Sequence, residues 1–459
     1  MVPALPAGTR AVTAGAMSAA AERYLRLLAE AELRRDGAED RLSAAADALV
    51  LAGAIDSATA AAVVSEYTTA RALRGRPPFA GRMIRPLRRP SRPSPWPYPD
   101  ELRVVPVGIT LPGRYQPLHV LALTLARGHA AVLTVAGLID AASRPARDQL
   151  PIGPYGPSDH DLGLTFTGDD GTRYPHKMIG GGTSDGVWWR QDLVLPAAAA
   201  DAGRWLDIAT TDGSVSARVN LPDDRHAGRP EREPPTVAAE ATEGGWLLDS
   251  IATAQLWLAL WCPEPGPDSP AAGRQSHMEA SADAIQGVGL VPARAAARRR
   301  YAALSRRLGL SRRLAAAGPT GPEPDDLPVA WADVLARRGL DDGREAMYPA
   351  VAVLPPLDGA WFAVTGLVAT AKSATLRVLT WGWAPDNAQL LNTLPFCWWA
   401  RDDGGHWHVG RPFGTDLGQL VTALDVVLVP PLHPAVTTLE VIVTGRGGTV
   451  RATVSLAAS

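Results

Sequence analysis

The sequence predicts an α+β protein organised as a tandem duplication, in which each half is a small helical unit followed by an antiparallel β-sandwich. Three observations predict this class. The stretch ADALVLAG from Ala46 is matched by ADAIQGVG from Ala282. Each half also closes on a hairpin pattern, LDIATTDGSVSARVNL and LEVIVTGRGGTVRATVSL. Between these landmarks, GDDG and LVLP of the first half correspond in order and spacing to RDDG and VLVP of the second. This agreement indicates one repeated unit.

The first half begins with a helical unit, predicted over residues 18–75 after a disordered N-terminus at 1–17. The breaks RRDGAED and AGAIDSA divide this unit into three short helices. Asp56 or Ser57 can cap the third helix, because their side chains accept hydrogen bonds from the free N–H groups of a helix start.

Two linkers flank the predicted β-sandwich of the first half. Residues 76–101 combine dense Pro with Arg, a composition typical of an extended, semi-rigid segment. Residues 102–221 form the first sandwich, because short alternating strands are separated there by turn residues. Residues 222–245 are polar and of mixed charge, which indicates a flexible connector between the halves.

The second half repeats this plan. We expect a helical unit at 246–314, a linker with a short helix at 315–345 and a second sandwich at 346–459. The first helix holds the most apolar run of the chain, which is shorter than the roughly 20 residues that span a bilayer and includes Asp249 and Gln255. It is therefore interpreted as a buried helix, and no membrane span is expected.

The β-rich segments resemble immunoglobulin-like sandwiches in architecture, through their DDG hairpins, WW pairs and a Val-rich closing hairpin. The Cys, Trp, Cys spacing of true immunoglobulin domains does not occur. The whole pattern is also similar to hypothetical proteins of high-GC bacteria. These resemblances imply two immunoglobulin-like sandwiches, but they imply no activity and no site residues.

Composition indicates a cellular location more clearly than a function. A net charge of −2 excludes neither anionic nor cationic partners, because local patches matter more than the sum. The two cysteines, Cys262 and Cys397, form no disulfide framework and suit a reducing compartment. The N-terminus lacks the long apolar region of a signal peptide. We therefore expect a cytoplasmic protein.

No catalytic residue and no cofactor is predicted. The motifs HExxH, GxSxG and paired CxxC do not occur. Ser158, Asp159 and His160 supply the residue types of a nucleophilic triad, but neighbours along a loop rarely meet in a relay. The Gly-rich stretch IGGGTSDG at 179–186 lacks the Lys of a phosphate loop, and we interpret it as a hairpin.

Arg is concentrated at equivalent places in the two halves. Neither Asp nor Glu occurs from Tyr67 to Pro99 or from Ala284 to Pro322. One interpretation is an anion-facing surface for an acidic protein, a nucleic acid or another polyanion. The other is a solvated helix face in an Arg-biased proteome. The candidate contact residues are Arg85, Arg88, Arg89, Arg298, Arg299, Arg306 and Arg307.

Adjacent Trp residues form a second group of candidates. On a strand, one member of each pair should face the core and the other a surface or interface. An exposed Trp pair would mark contact with a protein partner. The candidates are Trp188, Trp189, Trp398 and Trp399.

One cluster contains metal-ligand residue types. His406 and His408 share one face of a predicted strand that follows Asp402 and Asp403. These four residues are weak candidates for a divalent metal, because DDG is itself a strong turn former and the matched positions of the first half are not ligands. We predict a hairpin here and no metal.

Two functions remain open. The first is a non-catalytic binding or scaffolding protein that holds a protein partner, or a polyanion, through its Arg-rich helical ends. The alternative is an enzyme with a site between domains and no local motif. The lack of motifs favours the first.

Overall fold

The computed structural model divides the chain into two compact units. The helical unit spans residues 1–91, 242–328 and 386–395, and the β unit spans 92–241, 329–385 and 396–459. The residues that the structure describes are 14–34, 39–74, 102–112, 117–126, 128–138, 163–184, 188–200, 203–213, 215–221, 243–261, 270–290, 300–301, 303–304, 327–343, 345–381, 396–415 and 422–456.

The predicted α+β class is confirmed, because helices coexist with sheets whose described strand pairs are antiparallel. None of the helices in the described ranges is both long and apolar enough to span a membrane. The described helices are α1 (Ala14–Arg34), α2 (Glu39–Leu51), α3 (Ser57–Leu73), α4 (Ala197–Ala200), α5 (Glu243–Trp261), α6 (Pro270–Gly287) and α7 (Val329–Ala336).

The repeated sequence that begins at Ala46 and at Ala282 ends its helix in the same way both times. Gly53 after α2 and Gly289 after α6 have φ angles of 72° and 79°, a conformation that Gly adopts without steric cost. The next residues, Ala54 and Leu290, donate their N–H groups back to helix carbonyls at 2.8 and 3.1 Å. The matched glycines are therefore equivalent helix caps.

Small residues bring α2 and α6 close together within the helical unit. Ala44, Ala45 and Ala284 are buried, and Ser281 donates its hydroxyl to the carbonyl of Ala44 at 3.1 Å. The predicted cap of α3 also forms, since Asp56 accepts the N–H of Thr59 at 2.9 Å. Helix α5 is buried along most of its described length, as its apolar sequence predicts.

The first half of the β unit contains two antiparallel sheets. Their strand orders are β1-β2-β3-β7-β6 and β5-β4-β8-β9. The sequence predicts a mobile hairpin loop for the Gly-rich stretch IGGGTSDG, but its residues 179–184 belong to β6, which pairs with β7, and residues 185–186 lie outside the described residues. Both sheets contribute to one apolar core. The strands are β1 (Leu102–Leu111), β2 (Leu118–Ala126), β3 (Ala130–Leu138), β4 (Leu164–Gly168), β5 (Arg173–Tyr174), β6 (Lys177–Ser184), β7 (Trp188–Pro196), β8 (Trp205–Thr210) and β9 (Ser216–Asn220).

The second half contains one antiparallel sheet of nine strands. Its order is β10-β12-β13-β16-β15-β14-β17-β18, with β11 also paired to β12. Strand β11 packs against β18, so the sheet curls around an apolar core. The strands are β10 (Ala346–Tyr348), β11 (Ala352–Leu357), β12 (Ala360–Ala369), β13 (Ala374–Trp381), β14 (Cys397–Asp402), β15 (Trp407–Thr415), β16 (Thr422–Val429), β17 (Thr438–Gly445) and β18 (Gly448–Ser455).

The two halves of the β unit have corresponding strand orders. Taking β12, β13, β14, β16, β17 and β18 in place of β2, β3, β4, β7, β8 and β9 reproduces four pairings of the first half, namely β2–β3, β3–β7, β4–β8 and β8–β9. Strand β15 takes the place of β5 and β6 together, because it pairs with both β14 and β16. A continuous β15 explains why the second half has one sheet where the first has two.

Candidate functional site: a buried charge cluster and an aromatic face

A charged cluster lies inside the β unit, where β7 of the first half approaches β13 and β16 of the second. The register places Asp192 of β7 opposite Thr134 of β3, and Asp425 of β16 opposite Arg377 of β13. Beside this cluster, apolar residues of both halves form a common core. The cluster therefore belongs to the contact between the halves.

The contacts of the cluster run across the two halves. Arg377 bonds to Asp425 through Nη1 and Oδ1 at 2.9 Å, and it also pairs with Asp192. Arg190 pairs with Asp425, and Thr134 donates its hydroxyl to Asp192 at 2.8 Å. The four charged residues are at most 8% exposed. This network fixes the register of one half on the other.

Burial dominates the electrostatics of the cluster. Loss of hydration lowers the pKa of Arg190, and the nearby positive charge of Arg377 lowers it further, while Asp192 opposes both effects. Two guanidinium groups that are buried away from water stay charged only if carboxylates pair with them. Because its charged groups are buried and already paired, the cluster is suited to holding the two halves in register rather than to contacting a large partner.

An aromatic face lies on the β14–β15 hairpin of the nine-stranded sheet, and we define it by Trp399, Arg401 and Trp407. The two indoles pack edge to face with 6.2 Å between their ring centroids. The Arg401 guanidinium carbon lies 5.6 Å from the centre of the Trp407 ring. Arg401 is exposed and both Trp side chains are half-buried, so the face is accessible.

Helix α7 fixes the backbone of this aromatic face. Asp333 accepts the N–H of Trp407 at 2.7 Å, and Arg337 donates both to the carbonyl of Trp407 and to Asp333. Partial burial alone would raise the pKa of Asp333. The bond from Trp407, the charge of Arg337 and a contact with His406 outweigh it and hold the pKa below its ordinary value. The aromatic face is therefore preorganised.

The residues considered as a metal site have other roles. His408 is buried, and its ring nitrogens lie 2.7 Å from the carbonyl of Pro430 and 3.3 Å from a carboxylate oxygen of Asp402. The Asp403 carboxylate accepts the N–H and hydroxyl groups of Thr437. In the described part of the chain, no group of three His, Cys, Asp or Glu residues is arranged to hold a metal ion.

The predicted hairpin accounts for this arrangement. The N–H of Asp402 bonds to the carbonyl of His406 at 2.9 Å, and Gly405 has a φ of 84°. Burial alone would raise the pKa of Asp402. Hydrogen bonds from His408 and from the N–H of His406 outweigh this effect, so the pKa lies below its ordinary value. These ligand types therefore stabilise the turn.

The Trp candidates include buried and partly exposed side chains, as the alternation of side chains along a strand predicts. Trp189 and Trp398 are each 1% exposed and lie in the two β cores, so they do not reach the surface. Trp399, which follows Trp398, is half-buried on the opposite side of its strand. The Trp188 side chain lies outside the described residues. Of these four candidates, Trp399 contributes to the aromatic face.

The Arg candidates of the helical ends cannot be placed. All seven lie outside the described residues: Arg85, Arg88, Arg89, Arg298, Arg299, Arg306 and Arg307. Their described neighbours have partners within the helical unit, since Arg74 donates to the carbonyl of Leu33 and Arg300 lies 3.8 Å from Asp249.

Sequence reasoning missed the charge cluster and two residues of the aromatic face. A charged residue inside a strongly apolar strand was a usable signal, as in WWRQDLVLP, ATLRVLTW and TALDVVLV. Arg401 and Trp407 could have been placed beside Trp399 from the DDG hairpin, because strand pairing brings them onto one face.

Comparison with known proteins adds no family. No family model matches the chain, and no curated protein matches it. Among solved structures, the chain is similar to the crystal structure of a conserved domain protein from Bacillus anthracis over 74% of this chain and 77% of that one. The identity is 6% and the TM-score 0.17, so this similarity supports no argument about fold or function.

Proposed function

We propose that the protein is a non-catalytic binding protein that holds an acidic protein partner on its aromatic face. This proposal rests on the charge of Arg401, which no acidic side chain of the described residues pairs with. Its guanidinium lies over Trp407 and forms no ion pair with any part of the chain that the structure describes. A carboxylate of a partner could pair with it while apolar groups cover the two indoles.

The residue types support binding. Trp and Arg are enriched among the residues that dominate protein interfaces, because a rigid indole buries a large area and a planar guanidinium can form several hydrogen bonds at once. Charged groups at the edge of such a surface mainly set specificity and association rate. Asp333 and Arg337 hold the backbone beneath, so binding would need little reorganisation.

A second Trp and Arg pair shows by contrast why the aromatic face is favoured. In the β8–β9 hairpin, the Arg218 guanidinium lies 3.6 Å from the centre of the Trp205 ring. However, Asp207 accepts hydrogen bonds from this guanidinium at 2.8 and 3.0 Å. The charge of Arg218 is thus already neutralised, and this pair provides a matched control.

We also propose that the two β halves are immunoglobulin-like sandwiches that arose by tandem duplication, and that the protein is cytoplasmic. The corresponding strand orders and the equivalent Gly53 and Gly289 caps support the duplication. The Cys397 thiol is buried and forms no disulfide within the described residues, which is in keeping with a reducing compartment.

Affinity capture from the native host tests the proposed function. Wild type, the double variant Trp399→Ala/Arg401→Glu and the control Arg218→Glu are immobilised, and bound proteins are quantified by mass spectrometry. We expect one acidic protein to bind wild type and control, and to bind the double variant at least about thirtyfold more weakly, since an interface anchor contributes about 2 kcal/mol or more.

Each outcome has a defined meaning. Equal capture by all three proteins would remove the aromatic face from the interface. Capture of nucleic acid instead, lost with rising salt, would favour the polyanion alternative through the Arg-rich segments. Circular dichroism of each variant establishes that it is folded.

A further inference from the structure

The side of the sheet that carries the aromatic face continues from β14 onto β17. Arg401 lies directly opposite Trp407 of β15 and directly opposite Glu440 of β17. Trp399 lies opposite Ile442 of β17. Residues that are opposite each other in an antiparallel pair, or two apart on one strand, share one side of the sheet, so these five residues belong to one surface.

Glu440 does not neutralise Arg401, although the two residues are opposite each other. A carboxylate oxygen of Glu440 lies 3.1 Å from a guanidinium nitrogen of Arg451 on β18. The Arg401 guanidinium lies over the Trp407 ring instead. Among the described residues of this surface, Arg451 is thus already neutralised, and Arg401 keeps its charge for a partner.

The surroundings of Arg401 differ on its two sides. The indoles of Trp399 and Trp407 are half-buried, so part of each ring is open to apolar contact. Ile442 is 5% exposed and adds no polar group beside Trp399. A carboxylate that pairs with Arg401 therefore has an indole towards β15 and the Glu440 carboxylate towards β17.

We propose, building on the proposed function, that Glu440 is a specificity-determining residue of the aromatic face. It restricts the face to a partner segment that has one carboxylate among apolar side chains, and it excludes a segment of consecutive acids. The single carboxylate pairs with Arg401 while apolar groups cover the indoles. A second carboxylate towards β17 would meet the charge of Glu440, and like charges at close range oppose binding.

Glu440 acts against a second acid in two ways. Its charge repels that acid, and its ion pair occupies Arg451, the other cation of the surface. Both side chains are partly exposed, at 32% and 52%, so solvent screens these effects. Interactions between exposed charges change an affinity by up to about fivefold each.

Two small acids represent the two kinds of partner segment. 4-Phenylbutyrate has one carboxylate on an apolar body, whereas tricarballylate has several carboxylates and no apolar body. Nitrogen-15 NMR of the full-length protein follows the indole N–H signals of Trp399 and Trp407, assigned by their loss in Trp399→Phe and Trp407→Phe. We expect millimolar phenylbutyrate to shift both signals in a saturable manner, and tricarballylate to bind at least about threefold more weakly.

The variant Glu440→Gln should weaken this preference. It removes the repelling charge and frees Arg451, so the affinity for tricarballylate relative to phenylbutyrate should rise at least about fivefold. The matched control is Asp207→Asn, which frees Arg218 on the β8–β9 hairpin with the same change of net charge. This control should leave the relative affinity as it is in wild type.

The outcomes separate this proposal from the proposed function. Equal affinity of wild type for the two acids, an unaltered relative affinity in Glu440→Gln, or the same rise in Asp207→Asn would overturn the role of Glu440. Binding of phenylbutyrate at the two indoles would in that case still support the aromatic face as a contact for an acid. If neither acid shifts either indole signal, both the role of Glu440 and the acidic contact at the aromatic face are wrong.

Discussion

Replacing Arg377 by Met should destabilise the β unit more than any comparable change at an exposed Arg. Arg377 is 3% exposed and is the residue that joins Asp192 to Asp425. After the substitution, Asp425 keeps its ion pair with Arg190, whereas Asp192 keeps the hydroxyl of Thr134 and the attraction of the nearby Arg190 charge. Asp192 thus loses its ion pair with Arg377 while it stays buried.

The loss of stability in Arg377→Met can be estimated from the number of carboxylates that lose an ion pair and gain no other. Removing one partner of a buried ion pair costs about 3–5 kcal/mol, because the remaining charge stays desolvated. Only Asp192 loses its ion pair, because Asp425 retains Arg190. The loss of stability should therefore be about 3–5 kcal/mol and not twice as large. Adding Asp192→Leu should recover most of the loss, since apolar replacement of a whole buried pair is often close to neutral.

Hydrogen exchange measured by mass spectrometry on peptides of β13 and β16 reports the local opening free energy, and urea unfolding reports the stability of the β unit. The control is Arg218→Met, which removes an exposed pair screened by solvent and should have a much smaller effect. A loss below about 1 kcal/mol for Arg377→Met, or no recovery in the double variant, would show that Arg377 is not needed to neutralise Asp192.

Three further predictions concern single residues. Burial raises the pKa of Asp47 from 3.8 to about 8, so the folded state keeps a proton that the unfolded chain releases. Stability of the helical unit should therefore fall by about 1.4 kcal/mol per pH unit across this window, and Asp47→Asn should abolish that slope in urea unfolding at a series of pH values. Hydrogen bonds lower the pKa of Asp402 below 3.8, so its contribution to stability is present above that value and lost as pH falls through the folded pKa. Asp402→Ala should make stability depend less on pH in the acid range, and it should destabilise the protein by about 1–3 kcal/mol because buried His408 loses its carboxylate partner. The same pH dependence of the melting temperature as in wild type would contradict this. In Gly137→Ala the new Cβ would clash with the indole of Trp189, so we expect a loss of about 1–3 kcal/mol with altered near-ultraviolet circular dichroism, whereas wild-type stability would show that the ring moves freely.

Local signals in the sequence predicted the elements well. Gly53 and Gly289 mark equivalent helix ends because a left-handed residue after a helix favours Gly wherever it occurs. The DDG turn before His406 and the closing hairpin of each half form as predicted, since turn chemistry depends on a few adjacent residues. The burial of Trp398 with half-exposure of Trp399 follows from strand alternation.

Features that depend on pairing between distant strands were beyond this reasoning. Arg377 and Asp192 are far apart in sequence, and their meeting depends on how the two halves pack. The division of one sheet into two beside Pro175 likewise depends on whether β4 pairs with the strand that follows the turn.

The most direct test of the proposed binding function is photo-crosslinking in the native host. A benzoylphenylalanine placed at Trp399, and as a control at Trp205, is irradiated in cells, and adducts are identified by mass spectrometry. We predict a light-dependent adduct with one acidic protein from position 399, lost when Arg401→Glu is added, and no such adduct from position 205. Absence of any adduct at 399, or the same adduct from both positions, would contradict the aromatic face as the contact site.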